Sequence, residues 1–393
     1  MGRASFDLVD PNRADIYAAN PQDRRELVIW TWYPAAPGPG AGRAAYLPDP
    51  WAPAGQLLGL DAAGLLSHAV ADAPVADEQS SYPVLVQSQS GFPPLLLAAV
   101  AEELASHGDV VVGVNHTYEP AVTVFADGRA VAMNPEAVAG VLGPQTGPYQ
   151  ERFRQRAAVC DYKAADLASV ADQLERLPAE AAGLLGGRLD LDRLGGFGHS
   201  FGGNAALQWC RDDRRGRAAA NLDGALWTEV GRSGLERPAL QLLAEHPEFA
   251  RSGADAVAAG MATDAAAHDA EKSITLDGWR TVHHHARPSY TLQVEGATHV
   301  SFMDVWGCCR CRRRAPSGRC SPRQASTRGG CGGSPATCSW PSSQPTSTRN
   351  RHRPCSGAPR TTTRSCATAR LERGPSGGWP TYGISGCPLA PSW

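Results

Sequence analysis

The residues best suited to chemistry lie at Gly198-His199-Ser200-Phe201-Gly202. This is G-x-S-x-G, the signature of a nucleophile elbow when a strand leads into it and a helix follows. The turn is tight, and Gly198 and Gly202 leave the room that it needs beside the serine, with Gly203 easing helix packing. The helix behind it would aim its N-terminus at Ser200, where backbone N–H groups can stabilise a developing oxyanion. His199, inside the motif, reads as a packing residue.

A serine hydroxyl needs a base, and the base needs an orienting acid; behind an elbow of this kind the chain order is Ser, acid, His. His299, in Gly296-Ala297-Thr298-His299, follows the last predicted strand and is the expected base. Its rivals are His246, His268 and the run His283-His284-His285, which reads as the solvated end of a surface helix with no metal-binding spacing. Two positions compete for the acid. Asp223 ends the strand after the elbow helix, in Asn221-Leu222-Asp223-Gly224, and Glu245 ends the next strand, PALQLLAE. Position alone divides them evenly.

The elements needed to hold these residues are legible as alternating strands and helices. RELVIWTWYP (25–34) alternates apolar and polar residues and reads as an early strand. Residues 35–54, rich in Pro, Gly and Ala, read as a loop. Strands are expected at 82–86, 109–116, 191–197, 218–222, 238–244 and 290–295. Helices are expected at 95–107, stopped by Gly108, at 150–177 and at 204–211. Such alternation over some 300 residues implies one α/β sandwich with a mostly parallel central sheet flanked by helices. No phosphate-binding glycine motif is present, which removes the anchor for nucleotide-binding readings.

Composition divides the 393 residues in two. Residues 1–306 carry 23 basic and 38 acidic side chains, whereas 307–393 carry 14 Arg and a single acid, Glu372. The acidic body argues against nucleic-acid binding, which needs a basic face. Two of the eleven cysteines, Cys160 and Cys210, are in the body, so no oxidising compartment is implied. No apolar run approaches the roughly 18 residues of a spanning helix, and no signal peptide is read at the start, which points to the cytoplasm. The tail is rich in Arg, Cys, Pro and Ser and almost lacks large apolar residues, so it is expected to be disordered. A zinc site at Cys308 and Cys311 lacks a matching second pair, and an Arg-rich nucleic-acid arm fits little better. Two Lys against 35 Arg indicate GC-rich coding, and the abrupt change near Gly307 fits a reading-frame slip best.

YPVLVQSQSGFPPLLLAAVAEELASHGDVVVGVNHTYEPA, GHSFGGNAA, NLDGALW and EGATHVSFMDV together resemble the platelet-activating factor acetylhydrolase family over roughly residues 5–306. The resemblance implies an α/β-hydrolase fold, serine esterase activity on short-chain or acetyl esters, phospholipids among them, and no cofactor or metal. It places the acid on the strand after the elbow, some two dozen residues past the serine. That favours Asp223, 23 residues beyond Ser200, over Glu245. The family's His-Gly pair in the oxyanion loop is replaced by Ser88-Gln89-Ser90-Gly91-Phe92. Gly91 and Phe201 are then the expected oxyanion donors, and Phe92, Phe201, Tyr118 and Trp227 the expected walls of an apolar acyl pocket. The family's closing helix after the histidine motif is also replaced here, by Gly307-Cys308-Cys309. The competing expectation is a non-catalytic binding protein of the same fold, or an inactive product of a frame-shifted gene.

Overall fold

A computed structural model describes residues 1–56, 59–138 and 148–304. The tail at 307–393, and every expectation made for it, lies outside the described residues.

Ten strands form one sheet. They are β1 (Gly2–Ala14), β2 (Arg24–Tyr33), β3 (Arg43–Ala45), β4 (Leu66–Ala71), β5 (Tyr82–Ser88), β6 (Val110–Asn115), β9 (Leu189–His199), β10 (Gly216–Leu222), β11 (Ala239–Leu243) and β12 (Ser289–Gln293); β7 (Val122–Val124) and β8 (Ala130–Ala132) pair as a separate hairpin. The order across the sheet is β12-β11-β10-β9-β5-β6-β2-β1-β4-β3. From β12 through β6 every neighbouring pair is parallel, and β2 joins β6 and β1 antiparallel. The four longest helices among the described residues are α1 (Ala98–Ser106), α2 (Tyr149–Gln173), α3 (Phe201–Asp212) and α4 (Ala265–His285).

The strand pattern shows why helices must cover both faces. Successive strand side chains point to opposite faces. In β2, Leu27 and Ile29 enter the cluster that holds Leu167 and Val170 of α2, whereas Val28, Trp30 and Trp32 enter the cluster that holds Ala101 of α1. β6 does the same with Val110, Val112 and Val114 on one side and Val111 on the other. A mostly parallel sheet covered on both faces, with the serine turn after a central strand, is the α/β-hydrolase architecture.

Two stretches differ from the sequence expectation. β1 was not read from GRASFDLVDPNRA, in which the alternation is weak and Pro11 argues against a strand; pairing along β2 overrides both, and the register slips between Asp10 and Ala14. Residues 35–54 are not only loop. Leu47 and Trp51 bury against Trp30 and Trp32, and that packing draws a turn at Asp49–Trp51 and a short helix, Ala52–Gln56, out of a Pro-rich segment.

Candidate active site

Three chain segments converge at the carboxyl edge of the central strands. β9 ends at His199, and Ser200 turns the chain into α3 with φ +60° and ψ −127°, a left-handed conformation that a non-glycine residue adopts only under constraint. The constraint is close packing. A Cβ on Gly202 would lie 2.2 Å from the Ser88 carbonyl oxygen, and one on Gly198 would lie 2.4 Å from the Gly202 backbone. The Ser200 N–H is tied to Leu222 O at 3.0 Å.

Asp223 follows β10, also at positive φ, +57°. Asn221 supports that turn from both sides, donating to Gly224 O and accepting from Gly224 N–H, each at 2.8 Å. His299 opens a short turn, His299–Phe302, whose start is fixed by reciprocal bonds between Thr298 and Ser301.

The three side chains meet. His299 Nε2 is 3.0 Å from Ser200 Oγ, and His299 Nδ1 is 2.8 Å from Asp223 Oδ2. The His299 side chain is 44% exposed and that of Asp223 0%. Asp223 Oδ1 accepts from Ala244 N–H at 2.7 Å and from His246 Nε2 at 2.9 Å. Burial pushes the Asp223 carboxyl up, but hydrogen bonds from His246 and His299 outweigh it and hold it at about 2. Glu245 is exposed, and its backbone N–H bonds to Ala297 O. His199 is buried, donates from Nε2 to His299 O at 2.7 Å and stacks its ring 4.6 Å from that of His299. Burial, then the neighbouring His299, lowers the His199 imidazole to about 4.

Ser200 and His299 open onto a cavity of about 210 Å³ whose walls include Phe201, Trp227, Phe249 and Trp279. Phe201 and Trp227 were expected there. Phe92 and Tyr118 were also expected but do not line it; Phe92 packs on the Trp30 cluster instead. Phe249 and Trp279 come from a turn and a helix that carried no site signal in the sequence. Arg156 and Glu271, an ion pair at 2.9 Å, share this cavity.

The loop after β5 lies against the elbow. The Phe201 N–H is the first of α3 and has no acceptor among the described residues, as helix geometry requires of an opening turn. The Gly91 N–H donates to Glu119 Oε2 at 3.2 Å. Glu119 in turn pairs with the buried Lys163, which also donates to Gln89 O at 2.9 Å. Neither Glu119 nor Lys163 stood out in the sequence: Glu119 is a single acid in the turn after β6, and Lys163 a single charge on an ordinary amphipathic helix.

Directly behind this loop is a second serine–histidine–aspartate array. Ser88 Oγ is 2.8 Å from His116 Nε2, and His116 Nδ1 is 2.8 Å from Asp166 Oδ2. All three are buried, and Arg25 caps the array with bonds to both Asp166 oxygens at 3.1 and 2.7 Å.

No protein-family model matches the chain. Over 154 residues it is 25% identical to a protein described as a probable 1-alkyl-2-acetylglycerophosphocholine esterase from Arthroderma benhamiae. The match covers 39% of this chain and about a third, 34%, of that relative's length. A ferulic acid esterase from Streptomyces cinnamoneus superimposes with a TM-score of 0.58 at 29% identity, over 79% of this chain and 78% of its own. Both relatives are esterases. The chain is an α/β-hydrolase-fold protein similar to esterases, in agreement with the resemblance carried by its motifs. Among the described residues no helix is long and apolar enough to cross a membrane.

Proposed function

We propose that this chain is a serine carboxylic-ester hydrolase acting by two-step acyl transfer, with residues 1–306 as its hydrolase domain. The observation that carries the reading is the hydrogen-bonded line from Asp223 through His299 to Ser200, opening on an aromatic-walled cavity. His299, oriented by Asp223, takes the Ser200 proton as Oγ attacks the ester carbonyl. The Phe201 N–H, at the positive end of α3, holds the oxyanion. Gly91 supplies the second N–H, which must part from Glu119 to do so. The alcohol leaves with the proton from His299, and water repeats the cycle on the acyl-enzyme.

The substrate proposed is a short-chain or acetyl ester, on a phospholipid or a smaller alcohol, as the family resemblance implies. A second reading, an aromatic acyl ester, is favoured by the rings of Trp227, Phe249 and Trp279 around the cavity and by the ferulic acid esterase likeness. Comparing kcat/KM for a nitrophenyl acetate and a methyl hydroxycinnamate separates the two. The test of the whole reading is fluorophosphonate labelling. Label on Ser200, absent in Ser200→Ala and unchanged when 307–393 are removed, is the expected result. An unlabelled, well-folded parent would point instead to a binding protein or an inactive product.

A further inference from the structure

The candidate catalytic acid is held between two imidazoles. Asp223 presents Oδ2 to His299 at 2.8 Å and Oδ1 to His246 at 2.9 Å. His246 is fixed in its turn. Its other ring nitrogen, Nδ1, is 2.8 Å from Glu248 Oε1, its ring stacks on Phe249 at 5.2 Å, and Trp279 lies 5.5 Å away. Both acceptors are carboxylates, so two bonds of this kind require a hydrogen on each ring nitrogen, which is the imidazolium.

We propose that His246 is a cationic positioning residue for Asp223, which locks the carboxylate so that one oxygen alone serves His299. The inference rests on reading Ser200, His299 and Asp223 as the catalytic line.

The locking follows from valence and reach. With Ala244 N–H and His246 Nε2 both on Oδ1, rotation of the carboxylate would break two bonds to no gain. The charged groups facing His246 are few. From its own turn comes Glu248, from the end of β10 Asp223, and across Asp223 His299. Arg156 of α2 and Glu271 of α4 reach the same cavity as an ion pair with each other. His268 of α4 touches Phe249. The two carboxylates in direct contact therefore dominate. Burial alone would lower the imidazole, but bonding and charge from Asp223 and Glu248 raise it to about 9.

Two variants separate position from charge. His246→Gln keeps a donor near the Nε2 position but cannot be a cation; His246→Leu keeps neither. The Gln variant is expected to lose about threefold in kcat. The Leu variant is expected to lose about ten- to a hundredfold in kcat with little change in KM, the cost of a slightly misplaced group. Loss confined to KM, or equal loss in both variants, overturns the proposal. Carbon-13 shifts of the imidazoles give a reading that needs no turnover. His246 should remain doubly protonated at pH 8, and titration in the ordinary histidine range overturns the inference. Labelling of Ser200 by fluorophosphonate in the parent tells whether any failure belongs to the catalytic reading or to this one.

Discussion

Among the described residues are two serine–histidine–aspartate arrays built to nearly the same hydrogen-bond lengths. In Ser200–His299–Asp223 the two contacts are 3.0 and 2.8 Å; in Ser88–His116–Asp166 both are 2.8 Å. Their surroundings are opposite. Ser200 stands on a strained turn at the mouth of a cavity, with a helix N-terminus beside it. Ser88 is the last residue of a central strand and is fully buried. His299 is half-exposed at that mouth, whereas His116 is sealed and Asp166 is gripped by Arg25. Burial, then the charge of Lys163, lowers the His116 imidazole. Hydrogen-bond distances alone therefore do not make a nucleophile. Access and a place for the oxyanion are needed as well.

The sharpest way to break this contrast is to remove each serine. Ser200→Ala is expected to cut hydrolysis of a short nitrophenyl ester by about a thousandfold or more. Ser88→Ala should leave kcat within about threefold while costing about 1–3 kcal/mol of stability, since a buried ring nitrogen loses its partner. Equal losses of activity would abolish the distinction.

The acids offer the next contrast. Asp223→Asn should lower kcat by about three to four orders of magnitude with the fold retained, because the imidazole is left in the wrong tautomer. Glu245→Gln, in an exposed neighbour, should change kcat less than about twofold. The reverse ranking would reassign the acid.

The buried array should answer in stability rather than rate. Arg25→Met removes the buried cation shared by Asp166 and Asp15, leaving Arg13 as the arginine on Asp166, and is expected to cost about 3–5 kcal/mol in denaturant unfolding. A cost below about 1 kcal/mol would mean that Arg13 suffices for the Asp166 carboxylate.

The smallest effect is in pH. His246, raised to about 9 from 6.5, contributes stability that is complete below about 6.5 and is lost as pH rises through 9. His199, lowered to about 4 from 6.5, acts on the other side: the unfolded chain takes up a proton that the folded one refuses, so stability falls as pH drops from 6.5 toward 4. His116, also lowered, adds to that acid arm. Tm scanned from pH 4 to 9 should fall in both directions, and His246→Gln should flatten only the alkaline arm. A parent Tm independent of pH from 7 to 9 would remove the His246 part.

The elbow was readable because its demands are local. Gly-x-Ser-x-Gly states the steric problem and its solution in five residues, and the flanking strand and helix carry strong periodicity. The buried strands at 82–88 and 110–115 were readable for the same reason, as short apolar runs next to turn signals. β1 was not, since its strand form comes from pairing with β2 and the burial of Phe6 and Leu8 from the distant helix packed across them. His246 appeared in the sequence only as a rival base. Nothing within ten residues of it announces Asp223, which is 23 positions away and one strand over. Lys163 looked like one more charge on a helix, and only the loop after β5 folding over it makes it a buried cation.

By itself the chain sequence determined the alternation of strands and helices, the serine turn, and a short list of histidines and acids at strand ends. These depend on contacts between near neighbours, where period, glycine and strand-end position carry the information. Tertiary structure alone decided that a second imidazole shares the acid facing His299, and that the other serine–histidine–aspartate array is sealed from solvent. Those outcomes turn on which strands become neighbours and on a few ångströms of approach between residues as far apart as Ser200 and His299. Such distances are set by the packing of the whole sheet rather than by any segment of it.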